Sequence, residues 1–120
     1  MTVTLSPLHI DCAFDAGNIE VVDASDPSHA QLNIRPDTCS DHFQWFHFKA
    51  SGLTPGHSHA FSLLNAGRSS YNAAWSGYQA VASYDQHTWF RVPTRFDGQG
   101  LHFSLQAQQP QAWFAYFEPY

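Results

Sequence analysis

At 120 residues the chain has the length of one domain with one core, and a second independent domain does not fit. Hydrophobic residues make up 43% and charged residues only 12%, which excludes a disordered chain, and no apolar run reaches the roughly twenty residues of a membrane helix. The net charge is −5 and the five basic residues, Arg35, Lys49, Arg68, Arg91 and Arg95, form no run, so neither nucleic acid nor an anionic membrane is an expected partner.

The residue balance favours strands over helices. Ten Phe, five Tyr and four Trp stand against few strong helix formers, with Glu20 and Glu118 the only glutamates and Lys49 the only lysine. Cys12 and Cys39 are the only cysteines. Two thiols do not make a disulfide framework, and both read as reduced core thiols, with a Cys12–Cys39 bridge as the alternative. No basic segment precedes an apolar stretch at the N-terminus, so a cytoplasmic domain without a secretory signal is expected.

Short alternating runs follow one another along the chain, separated by turn residues. Leu8 to Phe14 alternates with period two, and Ala16-Gly17-Asn18 then turns the chain. Ile19–Val22 and Ala30–Arg35 are the next two strands, with Leu32 and Ile34 on one face. Phe43–Ala50 is the strongest strand of the first half. Phe46, Phe48 and Ala50 share one face and Phe43, Trp45, His47 and Lys49 the other, so aromatics lie on both sides, as in a central strand. Ala60–Asn65 follows a Gly52–Gly56 loop. Ala66–Gly77 has no clean period and reads as a long irregular loop with a helical turn at Asn72–Trp75. Strands resume at Tyr78–Tyr84, Thr88–Val92, Leu101–Ala107 and Ala112–Phe117, with an Asp97-Gly98-Gln99-Gly100 hairpin turn between Phe96 and Leu101. About nine short strands spaced in this way predict an all-β, antiparallel β-sandwich forming a single domain over residues 1–120. The aromatic run at Trp113–Phe117 reaches almost to Tyr120, which suggests a larger protein divided at a domain boundary.

The chemistry-bearing residues do not assemble into a recognised motif. His57-Ser58-His59 would place two imidazoles on one strand face, but a functional zinc site needs three or four ligands, and two solvated histidines are the expected reading. The positions three after the histidines are Cys12, Leu32, Trp45, Ala50, Ala60, Ser62, Phe90 and Leu105. Neither His-x-x-Glu nor His-Glu-x-x-His therefore occurs. Asp15, Asp23, Asp26, Asp37, Asp41 and Asp97 sit in turns, where carboxylates satisfy backbone amides. The Gly-x-Ser-x-Gly elbow and the glycine-rich phosphate loops are missing as well.

An aromatic and arginine constellation remains. Arg68, Tyr71, Trp75 and Tyr78 lie in or beside the long loop, and Trp89, Arg91 and Arg95 follow the next turn. Tyr, Trp and Arg anchor interfaces because they bury large area while keeping a polar handle. These seven are the interface candidates. The competing reading makes Trp75 and Trp89 core aromatics and the arginines surface charges.

Several stretches together resemble a known family. They are Phe43-Gln44-Trp45-Phe46-His47-Phe48, Leu64-Asn65-Ala66-Gly67-Arg68-Ser69-Ser70-Tyr71 and Trp75-Ser76-Gly77-Tyr78. Ala82-Ser83-Tyr84-Asp85 through Trp89-Phe90-Arg91-Val92-Pro93-Thr94-Arg95 is the strongest, and Phe114 to Tyr120 also fits. The chain resembles the N-terminal domain of zinc metallocarboxypeptidases of the cytosolic carboxypeptidase subfamily, in its bacterial branch. The resemblance implies a β-sandwich placed before a catalytic domain that holds the zinc and the catalytic glutamate. No catalytic or metal-ligating residue is carried onto this chain. It also implies a parent that hydrolyses C-terminal residues, glutamate among them, from proteins or peptides.

The expected function is then a non-catalytic domain that supports the catalytic domain and shapes substrate access. Its partner is the C-terminal carboxypeptidase domain of the same protein, with protein or peptide substrate as a second contact. A separated domain would self-associate through the uncovered face. The alternative is a stand-alone β-sandwich binding module, for carbohydrate or protein.

Overall fold

Period-two alternation can bury one side of each strand only if two sheets close on each other, and the chain does this. A computed structural model of the chain describes residues 8–13, 17–26, 28–35, 45–68, 75 and 77–116. The described residues form ten strands: β1 (His9–Asp11), β2 (Glu20–Asp23), β3 (His29–Asn33), β4 (His47–Ser51), β5 (Ser58–Leu63), β6 (Val81–Ser83), β7 (Phe90–Arg91), β8 (Thr94–Phe96), β9 (Leu101–Gln106) and β10 (Gln111–Ala115). The first sheet runs β1-β4-β10-β6-β7 and the second β2-β3-β5-β9-β8. Every ladder is antiparallel except β3–β5, which is parallel because the chain leaves the second sheet for β4 between them.

The core lies between the sheets. Phe46, Phe48, Phe61 and Phe114 are fully buried and Phe103 is nearly so. Phe61 and Phe114 approach to 4.6 Å between ring centroids, and Phe48 stacks on Phe114 at 5.3 Å. Burying each ring contributes about 1.5–3 kcal/mol. The expected inward set Leu101, Phe103, Leu105 and Ala107 is buried, while His102, Ser104 and Gln106 face out.

Ten strands among the described residues replace the expected nine or so, and the added strand arises at Pro93. The expected strand Thr88–Val92 shrinks to Phe90–Arg91, and Thr94–Phe96 forms a separate strand in the other sheet. Proline has no N–H to continue a ladder, so the edge breaks there and the chain crosses between sheets. Thr94 fixes the crossing. Its Oγ1 accepts the buried Ala80 N–H at 3.0 Å and donates to the Val92 carbonyl at 2.8 Å. The expected strand Tyr78–Tyr84 is likewise limited to Val81–Ser83.

The long loop opens with a single 3-10 turn, Ala66–Arg68. Of the expected helical turn at Asn72–Trp75, only Trp75 lies among the described residues. Asn65 and Gly67 clip the loop to the sandwich, and Trp75 closes the loop on itself. Asn65 Oδ1 accepts the Ile34 N–H and its Nδ2 donates to the Ile34 carbonyl, both at 2.9 Å. The Gly67 N–H donates to the Gln99 carbonyl at 2.7 Å. A Cβ on Gly67 would lie 2.6 Å from the Gly98 carbonyl oxygen, so only glycine permits this approach. Trp75 Nε1 donates to the Ala66 carbonyl at 2.9 Å.

Candidate functional site

The outer faces of the two sheets differ in chemistry. In an antiparallel ladder, residues directly opposite each other point to the same side. Across the first sheet this places Asp11, Lys49, Trp113 and Ser83 in one outward row. His47, Ala115, Val81 and Arg91 form the next. Trp45 precedes His47 by two residues and Trp89 precedes Arg91 by two. Trp45 and Trp89 both set their rings edge-on to the His47 imidazole, at 5.8 and 6.0 Å. Lys49 Nζ lies 5.1 Å from the Trp113 ring centroid, a cation–π contact. Ala115 and Ser83 are fully buried although they point outward, and His47 is nearly so, while Trp45, Trp89 and Trp113 are half-buried.

Local sequence fixes the Trp89 position. Asp85 Oδ1 accepts the His87 and Thr88 N–H groups, each at 2.8 Å, and Ser83 Oγ donates to Asp85 at 3.0 Å. These bonds hold the Asp85 carboxyl below its ordinary range, led by the Thr88 and His87 amides. Ser83 and Asp85 thus shape the bend that returns the chain to the sheet edge at Trp89.

The outer face of the second sheet carries a polar network. Ser62 Oγ lies 2.6 Å from His29 Nε2 and 2.7 Å from His102 Nδ1, and His102 Nε2 lies 2.9 Å from Asp97 Oδ2. One proton arrangement satisfies all three contacts with a neutral His102. His29 donates to Ser62, Ser62 donates to His102, and His102 donates to the Asp97 carboxylate. The Gly100 and Gln99 amides, and then His102, hold the Asp97 carboxyl well below the usual carboxylate range. Serine, histidine and aspartate in contact invite a nucleophilic reading. However, Ser62 is 1% exposed and its oxygen is already engaged by two imidazoles, so a substrate carbonyl has no approach. The network instead ties β3, β5 and β9 together.

The seven interface candidates do not form one site. Trp89 and Arg91 share the outer face of the first sheet. Arg95 is exposed on β8, opposite His102 on the other side of the sandwich. Arg68 is exposed at the end of the 3-10 turn. Trp75 is 1% exposed and packs on Phe46, Tyr78 and Tyr116 inside the domain. Tyr78 donates its hydroxyl to the Tyr116 carbonyl, and burial pushes that hydroxyl's pKa far up. Tyr71 lies outside the described residues. Trp45, His47, Lys49 and Trp113 were not among the candidates. They could have been found as the alternate positions of strands whose other face, Phe46, Phe48, Ala50, Ala112 and Phe114, already makes the core.

Among the described residues no group of three or more His, Cys, Asp or Glu gathers to hold a metal ion. The expected pair of solvated histidines is corrected. His57 is exposed, but His59 is fully buried and its Nε2 accepts the Thr54 N–H at 3.0 Å. Cys12 is a half-buried free thiol that accepts from Arg35 Nη2 at 3.3 Å, and Cys39 lies outside the described residues. No helix of the described residues is long and apolar enough to cross a membrane.

These features define a two-sheet β-sandwich with no assembled catalytic centre among its described residues and with tryptophans on one outer face. Residues 10–117 match the family described as the cytosolic carboxypeptidase N-terminal domain, and the chain belongs to that family. A metallo-carboxypeptidase from Pseudomonas aeruginosa, solved in complex with (2-guanidinoethylmercapto)succinic acid, is 59% identical with a TM-score of 0.91. The match covers 93% of this chain and 30% of that one. A metallo-carboxypeptidase from Burkholderia cenocepacia is 40% identical with a TM-score of 0.90, over 94% of this chain and 29% of that one. Cytosolic carboxypeptidase 6 of Caenorhabditis elegans is 26% identical over 113 residues, 92% of this chain and 24% of that protein. The chain thus spans less than a third of the length of these relatives.

Proposed function

We propose that the chain is the non-catalytic N-terminal β-sandwich of a cytoplasmic zinc carboxypeptidase, supporting a catalytic domain that follows it and shaping substrate access. The observation that carries this reading is the family match over residues 10–117, joined to close likeness with two bacterial metallo-carboxypeptidases over about 30% of their chains. The metal and the hydrolytic chemistry are assigned to the rest of the protein, as the family membership implies. The relatives' names support removal of C-terminal residues as the reaction. The family resemblance adds C-terminal glutamate of proteins or peptides as a substrate.

Reading the coding sequence past Tyr120 tests this. A His-x-x-Glu segment followed by a distant third histidine is expected. A stop codon directly after Tyr120 would remove the catalytic half and leave a free binding module.

A further inference from the structure

We propose that the outer face of the first sheet, built by Trp45, His47, Lys49, Trp89, Arg91 and Trp113, is the surface on which the catalytic domain of the same protein packs. This inference rests on the functional reading above.

The two outer faces are asymmetric. A sandwich normally alternates apolar inside and polar outside. The second sheet obeys this, with His29, Gln31, Ser62, His102, Ser104 and Arg95 outward. The first sheet does not. Three of the chain's four tryptophans stand on its outside, and only Trp75 is in the core. A strand that is apolar on both faces is the pattern of a sheet covered on both sides. Ala115, Ser83 and Val81, which lie on this face by register, are already buried, so the layer has begun to close without being finished.

The composition of this face is that of an interface. Trp and Arg are enriched at the energetic centres of interfaces, and charge is depleted there. Here two indoles bracket His47, Arg91 stands beside them in register with Val81, and Lys49 is drawn onto Trp113. The exposed large apolar residues elsewhere lack this organisation. Val21 and Val22 lie on edge strand β2 between Glu20 and Asp23, where charge and a bulge discourage pairing. Leu64 stands alone after β5.

Continuity of the chain names the occupant. The domain is the N-terminal one in its family, and about 70% of the Pseudomonas relative lies outside the match. The last strand, β10, sits in the middle of the first sheet and leaves it at Ala115, directly opposite His47. A domain following β10 is therefore tethered beside the tryptophan end of this face. Tethering raises its effective concentration to the millimolar range, so a face of modest size is enough to hold it.

Hydroxyl-radical footprinting read by mass spectrometry tests this, comparing the 120-residue chain with the full-length protein, whose peptidase activity is assayed in parallel. Oxidation of Trp45, Trp89 and Trp113 is expected to fall at least fivefold in the full-length protein. Oxidation of His29 and His102 on the opposite face is expected to stay within twofold. Unchanged tryptophan labelling in an active full-length peptidase overturns the docking face and leaves the functional reading standing. A full-length protein without peptidase activity overturns that reading instead, and the docking face with it. Labelling that falls only as the isolated chain is concentrated assigns the face to a second copy. Labelling that falls only on adding cellulose or xylan oligosaccharides assigns it to a sugar. Either result overturns the proposal.

Discussion

Asn65 shows how a single side chain holds the fold. It is 8% exposed and pairs with both backbone groups of Ile34. Asn65→Ala orphans a buried donor and a buried acceptor, and about 1–3 kcal/mol is expected for each. Thermal or urea unfolding of the isolated chain would read the loss. Phe61→Ala, at the centre of the stacked rings, is expected to cost about 3–5 kcal/mol. Asp97 carries a pH signature. Its folded pKa is depressed, so the stability it contributes is present above the unfolded carboxylate value near 4 and is lost as pH falls below it. Asp97→Asn should therefore lower Tm clearly at pH 7, and the gap to the parent chain should have shrunk markedly by about pH 2, as the pH approaches the depressed folded value. A gap of constant size at both pH values would contradict this account of the turn. That Asp97 serves its turn was legible from Asp-Gly-Gln-Gly alone. That its carboxylate also anchors a His102–Ser62–His29 network was not, because the partners come from strands far apart in sequence.

Among the elements, strands with strict alternation were readable and those broken by turn chemistry were not. Leu101–Ala107 needed only its period of two. The expected strand Thr88–Val92 stops before Pro93 and leaves β8 (Thr94–Phe96) unassigned, because three residues beyond a proline show too little alternation to read as a strand. Thr94 provides the test. Thr94→Val keeps the shape but leaves the Ala80 N–H buried without its acceptor, and about 1–3 kcal/mol is expected. The loop after Leu64 was recognised as irregular, but its reason lies in long-range contacts. Asn65 and Gly67 clip it to Ile34 and Gln99, and Trp75 closes it on Ala66. Gly67→Ala should destabilise the domain by forcing the 3-10 turn away from the Gly98 carbonyl, whereas Gly56→Ala meets no neighbouring atom and strains only its own positive φ. Differential scanning of the two variants should therefore find the larger loss at Gly67.

On the scale of the whole molecule, the all-β sandwich and its family were accessible from sequence, because alternation and several short motifs agreed. The site was accessible only in part. Trp89 and Arg91 belong to the tryptophan face, but Trp75 and Tyr78 turn inward, and residue type alone cannot say which side of a sheet an aromatic takes. Strand register decides that, and it sets Trp113 beside Lys49 on the face where Trp45 and Trp89 flank His47. On the proposed function, this sandwich accompanies catalysis without performing it. The most direct measurement is release of C-terminal residues from a peptide substrate, with zinc and with a chelator, by the 120-residue chain and by the full-length protein. We expect chelator-sensitive release by the full-length protein and none by the chain alone. Zinc-dependent release by the chain alone, or none by either, would contradict it.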